Sequence, residues 1–294
     1  MSTKTTVNET VPKKRKSNSS EVFRRLKKNK MAMLGLAIIV VLILVAALAS
    51  VVAPYGYDDQ NLEKTFQPPS KDHIFGTDEF GRDIFSRIVY GSQISLKVGF
   101  IAVSISVLAG GFLGAIAGYY GGHIDNIIMR VMDVLLSIPS ILLAISIAAT
   151  LGPGLFNLMI AVGISSIPGY ARLVRASVLT IRGMEYIEAS KSVGSGDLRI
   201  IFKHIIPNCL APLIVQATLG VAFAILTAAG LSFIGLGIQP PEPEWGAMLS
   251  GGRGYIRDNA YMTLFPGLAI MVTILALNFL GDGLRDALDP KLKN

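Results

Sequence analysis

Three groupings of ionisable residues in this 294-residue chain are spaced in ways that could support chemistry. Asp78, Glu79, Arg82 and Asp83 fall within one polar stretch and could form a metal or catalytic cluster. The same residues also make Asp78/Arg82 and Asp83/Arg87 pairs at i, i+4, which suit a helix lying at an interface, and this structural role is favoured. Arg130 and Asp133 stand three apart in an otherwise apolar run. A charge there is expensive and normally faces a bundle interior or a partner, unless the two pair with each other near a helix end. His73, His123 and His204 are too far apart in sequence to suggest a metal cage, and the single Cys209 excludes an internal disulfide and reads as a packing residue. The chain contains no GxxxxGK[ST], HExxH or GxSxG, so neither a nucleotide site nor a hydrolase site is written into it.

The elements that carry these groups belong to a membrane. Hydrophobic residues make up 51% of the chain, charged residues 16%, and the mean hydropathy is +0.54. Soluble domains carry about 25% charged residues. Ten of the 27 Lys and Arg lie in residues 1–30, opposed by Glu9 and Glu21. Such an arm before a first span fits a cytoplasmic N-terminus better than nucleic-acid binding. Disorder is expected to about Ser20. Residues 21–30 read either as a basic amphipathic helix with Val22, Phe23 and Leu26 facing lipid, or as a solvated tail that only sets orientation.

Six apolar segments follow. Residues 31–53 are charge-free and long enough for one span, which needs about 20 residues. Ala47-Leu48-Ala49 imitates a signal-peptide cleavage site, but the run continues to Ala53, so a retained helix is expected. Residues 54–95 form a polar extracytoplasmic loop. The second span covers Leu96–Tyr119, interrupted by Gly110-Gly111, Gly114 and Gly118, with Gly99, Ser104 and Ser106 adding the small surfaces that close helix packing needs. Asp125 caps a third span over about 126–150. A short turn at Leu151–Gly154 leads to the fourth, Leu155–Tyr170. Six Lys/Arg in 171–204 mark that side as cytoplasmic. The fifth span occupies about 213–236. Pro240, Pro241, Pro243 and Trp245 mark a second outer loop at 239–259. The sixth span is Tyr261–Leu280, and residues 281–290 read as a short tail helix. The expected fold class is all-α integral membrane, with six transmembrane helices and both termini cytoplasmic. Arg130, Asp133, Ser137 and Asn278 are the candidate pathway-lining residues, since a polar cargo needs hydrogen-bonding groups along its route.

One soluble-looking segment interrupts the apolar half. Residues 186–208 read as two short helices around a glycine hinge. The first helix fades at Val193. Gly194, Ser195 and Gly196 break the periodicity, since Gly costs about 1 kcal/mol in a helix interior. Ser195 or Asp197 can cap the second helix. Its Leu198, Ile201, Phe202 and Ile205 form one apolar stripe, with Arg199 and Lys203 opposite, and Pro207 is expected to end it. A hairpin of this kind between two spans is a plausible docking surface.

These residues carry a resemblance. Glu188-Ala189-Ser190, then Gly194, then Ile206-Pro207 resembles the EAA loop of ABC-importer permeases, with Ser190 in place of a usual Ala and Ile206 in place of a common Leu. GTDEFGRD, LGPG, PGYARLVR, LSFIGLGIQPPEPEWGAML and LNFLGDGLRDALDP occur in order and are similar to strings of the dipeptide/oligopeptide/nickel permease family, C-type subunit. The resemblance implies a type I (MetI-like) ABC importer permease, with a five-helix core at 96–284 and a cytoplasmic tail at 285–294. It implies a coupling loop at 185–208 in which Glu188, Ala189, Ser190, Gly194, Asp197, Ile206 and Pro207 meet an ATPase subunit. Implied partners are a B-type permease, two cytoplasmic ATPases carrying ATP and Mg, and an extracellular substrate-binding protein docking near Asp78, Glu79, Arg82, Asp83 and Trp245. The location would be a prokaryotic inner membrane, and the cargo di- or oligopeptides, with nickel or glutathione as alternatives. An ion-coupled secondary transporter is the competing class. It would want intramembrane carboxylates and repeated halves, whereas only Asp133 is available and no repeat is found.

Overall fold

The computed structural model describes residues 18–288 as helices and connecting loops. The disorder expected up to about Ser20 falls mostly on residues outside that range, as does the end of the tail at Asp289 and Pro290. Five helices are long and apolar enough to cross a membrane: α2 with Lys30–Ala47, α4 with Ile84–Tyr120, α7 with Leu155–Ile181, the continuous segment Asp197–Phe233, and α12 with Tyr261–Leu288. A bent pair, α5 (Gly122–Leu136) and α6 (Ser140–Leu151), makes a sixth if its two helices together form one crossing.

The third span is therefore not one helix. It breaks by 88° at residues 137–139. Pro139 has no amide hydrogen to donate and disfavours a helical residue before it, and the Ser137 Oγ instead donates to the Val134 carbonyl at 2.7 Å.

The second span is longer than its hydropathy suggests. α4 begins at Ile84, where Asp83 Oδ2 accepts from the Ser86 amide at 2.7 Å and caps the helix. Thirty-seven residues at about 1.5 Å each exceed a hydrocarbon core of about 30 Å, so the first turns of α4 project beyond it into the preceding loop, where Ser86 and Arg87 bond to the Tyr55 amide and the Tyr57 carbonyl. The expected loop at 54–95 accordingly ends at Asp83. Its glycines do not interrupt α4. Gly110, Gly114 and Gly118 form a stripe against α7, the helix it packs on most extensively, while Gly99 faces Val221 and Ile225 of the fifth span. A Cβ on Gly110 would lie 2.6 Å from the Ile167 carbonyl oxygen, and one on Gly114 would lie 2.3 Å from that of Ala171. Without a hydrophobic effect between helices in lipid, such backbone contact is what holds them together.

At the N-terminal side, α1 (Asn18–Leu26) does not turn Leu26 to lipid. Leu26 is buried against Ala32 and Ala287, with Val22 beside them, while Phe23 remains exposed. This happens because α12 does not stop at Leu280: it runs on to Leu288, replacing the expected separate tail helix. Asn29 caps α2 through the Ala32 amide, and α3 (Ala49–Val52) ends that crossing. The main core joins α2, α4, α6, α7, α12 and the fifth span around Val98, Leu158, Val162, Ile225, Leu231 and Leu277.

A candidate coupling site at the ends of α4 and α7

The loop between α7 and the fifth span contains α8 (Glu185–Ser192) and α9 (Asp197–Ile200). α8 stops because Gly194 takes φ +82°, a left-handed conformation that favours glycine. The Gly194 amide donates to the Lys191 carbonyl at 2.9 Å and the Ser195 amide to the Ser190 carbonyl at 3.1 Å, so the last carbonyls of α8 are satisfied. Gly196, rather than Ser195 or Asp197, is the residue before α9. The Asp197 side chain turns to α4 instead, where its Oδ1 accepts a 2.6 Å hydrogen bond from the hydroxyl of Tyr119 at the helix end. Lys191 Nζ sits 5.1 Å from the centre of the same Tyr119 ring.

The apolar stripe expected on the second helix is divided between two faces. Ile187, Ile200, Ile201 and Ile205 are buried with Tyr119, Val174, Val178, Ile181 and Cys209, which ties the loop to α4 and α7. Leu198 and Phe202 point outward, 69% and 59% exposed, beside Val193 at 86%. The cause is a π-helical segment, Ile201–Ile205, whose wider turn shifts the register between α9 and α10 (Ile206–Phe233). Pro207 does not end the helix either. It lies in the first turn of α10, where its missing amide hydrogen is tolerated. Glu188, Ala189 and Pro207 are exposed, while Ser190 and Ile206 are half-buried.

Three arginines of this side, Arg172, Arg175 and Arg182, are bound into the fold. Arg175 makes a bidentate pair with Asp125, Nε to Oδ1 and Nη2 to Oδ2 at 2.5 Å each. Arg172 Nη2 meets Asp133 Oδ1 at 2.5 Å, and Arg182 Nη1 donates to the Gly118 carbonyl at 2.9 Å. Asp125 thus braces α5 on α7 as well as occupying the first turn of α5. Asp133 pairs with Arg172, not with Arg130, which is exposed. No sequence spacing points to either partner, because each pair spans 39 or 50 residues.

A cleft of about 370 Å³ opens between α4, α7, α10 and the α5–α6 break. Its polar lining is Ser106, Ser140, Ser165, Ser166, Tyr170 and Gln216. Ser106 Oγ donates to the Ala102 and Gly163 carbonyls, and the Tyr170 hydroxyl to the Gln216 carbonyl at 3.2 Å. Arg130, Asp133, Ser137 and Asn278 do not line it: Arg130, Asp133 and Ser137 are exposed on α5 and the bend, and Asn278 is half-buried on α12.

The loop before α4 and the loop before α11 are latched together by the acidic cluster and Arg87. Asp78, Arg82, Asp83 and Arg87 are buried, and Glu79 is half-buried. Asp78, Glu79 and Arg82 lie in a turn rather than on an interfacial helix, while Asp83 caps α4 and Arg87 lies in its first turns. Gly76 and Gly81 have φ of +79° and +71°, and the turn closes through a bridge between Thr77 and Asp83. Asp78 Oδ2 meets Arg82 Nε at 2.7 Å, so that expected pair is present. The expected Asp83/Arg87 pair is not: Asp83 Oδ1 meets His73 Nδ1 at 3.0 Å, and Arg87 Nη1 donates to the carbonyls of Tyr57 and Pro241. Trp245 is buried at the start of α11 (Trp245–Gly252), its Nε1 donating to the Ile88 carbonyl. Glu244 caps α11 at the Ala247 amide, and burial pushes its carboxyl pKa upward against the pull of the Gly246 and Ala247 amides. Among the described residues no three His, Cys, Asp or Glu side chains converge as a metal site.

Comparison with known proteins matches this arrangement to transport systems. Residues 110–294 fit the family described as binding-protein-dependent transport system inner membrane component, and residues 17–69 fit the N-terminal TM domain of oligopeptide transport permease C. The dipeptide transport system permease protein of Alkalihalophilus pseudofirmus is 54% identical over 93% of this chain and 90% of its own. The glutathione transport system permease protein of Pectobacterium atrosepticum is 45% identical over 93% and 91%. Among solved structures, the inward-facing MetNI methionine ABC transporter has a TM-score of 0.56 at 21% identity, covering 69% of this chain and 96% of that one. At that identity the likeness shows the fold, which is the MetI-like permease fold expected from the sequence. The chain therefore belongs to the binding-protein-dependent transport family, as a multi-pass inner membrane permease subunit of an ABC importer rather than a catalytic enzyme.

Proposed function

We propose that this chain forms one half of the translocation path of a di- or oligopeptide importer. The path opens and closes when cytoplasmic ATPase subunits move the α8–α9 hairpin. The observation that carries this reading is the division of the hairpin into two apolar faces. Its buried isoleucines grip α4 and α7, while Val193, Leu198 and Phe202 stand exposed beside Glu188 and Ala189. An exposed apolar patch beside a rigidly anchored one fits a docking surface that passes motion inward.

ATP and Mg are held by those separate subunits, and a B-type permease supplies the other half of the path. The hairpin and both termini are cytoplasmic, in line with the basic N-terminal arm. The serine-rich cleft beside the α5–α6 break belongs to the path. Non-helical backbone at membrane depth is tolerated where it lines a cavity, and neutral hydroxyls hydrate a peptide backbone without holding it. An extracellular substrate-binding protein docks on the outward surface of the loops that Asp78, Arg82, Asp83 and Trp245 latch from within.

The test is uptake into proteoliposomes by the chain assembled with its neighbouring subunits. ATP-dependent accumulation of dipeptides and tripeptides is expected, with weak transport of nickel. Glutathione, itself a tripeptide, is the informative competitor, and selective uptake of it over ordinary peptides would reassign the cargo.

A further inference from the structure

The cleft between α4, α7, α10 and the α5–α6 break has no Asp, Glu, His, Lys or Arg in its lining. A metal ion or a charged end of a cargo finds no counter-ion there. The polar side chains fall into two groups. Ser106, Ser165 and Tyr170 spend their hydroxyls on backbone carbonyls of the fold, those of Ala102 and Gly163, of Val162 and of Gln216. Ser140, Ser166 and Gln216 make no side-chain hydrogen bond among the described residues. They belong to α6, α7 and α10, so free hydrogen-bonding groups converge on the cleft from three helices. Gln216 is the most demanding of them. It is exposed, midway along the 37-residue segment Asp197–Phe233. A carboxamide bare in hydrocarbon at that depth is costly, because lipid offers it no partner, whereas a water-filled cleft does. Its place is also fixed. The Tyr170 hydroxyl donates to the Gln216 main-chain carbonyl at 3.2 Å, and a Cβ at Gly220, one turn on, would overlap that hydroxyl. Tyr170 thus pins the turn of α10 that carries Gln216.

We infer, on the reading of this cleft as part of a peptide path, that Gln216 is the specificity-determining residue that reads the main-chain amide of the cargo. A carboxamide and a peptide bond carry the same two groups: Gln216 Oε1 accepts from the cargo N–H, and its Nε2 donates to the cargo carbonyl. Ser140 and Ser166 hydrate the groups on either side. Such pairing ignores side chains, which suits cargo of varied sequence. It discriminates against a molecule of the same shape that lacks the N–H, because the Gln216 oxygen is then left without its donor.

The test compares initial uptake of alanyl-alanine with that of its ester isostere, alanyl-lactate, in proteoliposomes holding the full complex and its receptor. The same receptor serves every variant, so its own preference cancels from the comparison. The parent is expected to favour the amide. Gln216→Met keeps the length of the side chain and removes both hydrogen bonds. The ester makes one bond fewer than the amide, so the amide-to-ester ratio should fall by about fivefold in Gln216→Met, the worth of one hydrogen bond. Thr218→Val lies outside the cleft, its hydroxyl being bound to the Ile214 carbonyl, and should leave the ratio unchanged. Subunit composition after purification shows whether a variant assembles. If Gln216→Met does not, Gln216→Leu carries the test with the same expected fall. Normal uptake by the parent with an unchanged ratio in the Gln216 variant, or an equal fall in Thr218→Val, would overturn this inference and leave the peptide reading standing. Absence of ATP-dependent peptide uptake by the parent would overturn the peptide reading and this inference with it.

Discussion

The hydroxyl of Tyr119, in the last turn of α4, donates a 2.6 Å hydrogen bond to Oδ1 of Asp197, the first residue of α9. It is a side-chain bond, across 78 residues, between the C-terminal end of one span and the exposed hairpin. The Tyr119 ring is itself buried among Val174, Val178 and Ile187. In the proposed coupling, a push on α9 reaches α4 through this short polar contact beside an apolar socket.

Tyr119→Phe removes the bond and keeps the ring in its socket. A hydrogen bond of this kind is worth about 1 kcal/mol, or about fivefold. Peptide uptake per ATP hydrolysed is expected to fall by up to that factor while the complex assembles normally. An unchanged ratio in reconstituted vesicles would show that the contact carries no motion.

Gly194→Val tests the turn after α8. No other atom lies near the place its Cβ would occupy, so the substitution clashes with nothing. Its cost comes from φ +82°, about 1–2 kcal/mol for a side-chain-bearing residue and more for a β-branched one. Membrane insertion should be normal and transport lost, whereas Gly194→Asn should retain most activity because Asn visits this conformation. Full uptake by the assembled Val variant would remove the turn from the coupling mechanism.

Asp133 pairs with Arg172 across α5 and α7, with the side chains 48% and 54% exposed. Exposed pairs contribute about 0.2–1 kcal/mol. Asp133→Asn should thus lower uptake slightly and equally for lysine-containing and neutral dipeptides. The exchange Asp133→Arg with Arg172→Asp should restore it. A selective loss of cationic peptides, normalised to membrane protein, would put Asp133 in the path instead.

The loop between α10 and α12 is predicted to respond to pH through Glu244. Burial raises its carboxyl pKa in the folded protein, so the folded state holds the proton more tightly than the unfolded one. The cost of burying the charge is absent at low pH. It appears as pH rises from the ordinary glutamate range through the raised value. Thermal stability should therefore decline over that window. Glu244→Gln keeps an acceptor for the Ala247 amide and should flatten the decline. Glu244→Ala should lose about 0.5–2 kcal/mol with the cap. A Gln variant with an unaltered pH slope would assign the dependence elsewhere.

Which features the sequence discloses follows from what each one depends on. Long apolar runs report lipid contact, so the five long crossings and the bent α5–α6 pair are recognisable from hydropathy. The start of the second is not, because Ile84–Ser95 is helical through packing on protein, whereas the helix expected from the stripe at Leu198–Ile205 is present and runs on into the fifth crossing. Proline is ambiguous for the same reason: Pro139 sits at an 88° break, while Pro168, Pro212 and Pro266 lie inside unbroken helices. The glycine hinge at Gly194 is local and legible. The outward turn of Leu198 and Phe202 depends on a π-helical segment that no periodicity marks. The acidic cluster misleads because i, i+4 spacing fits a helix and also fits the Gly76–Asp83 turn, in which Gly81 lies against the Asn61 backbone. The pairs Asp125–Arg175 and Asp133–Arg172 depend on which helices meet.

The central claim is that the exposed face of the hairpin seats an ATPase subunit. A photo-cross-linking amino acid at Phe202, 59% exposed, compared with one at Ile205, fully buried, addresses it in intact cells. Irradiation at position 202 is predicted to capture an ATP-binding subunit, identified by mass spectrometry, and thereby also to place the hairpin in the cytoplasm. Position 205 is predicted to capture none. If position 202 yields only lipid or only segments of this chain, while the complex still imports peptide, the hairpin is not the coupling surface.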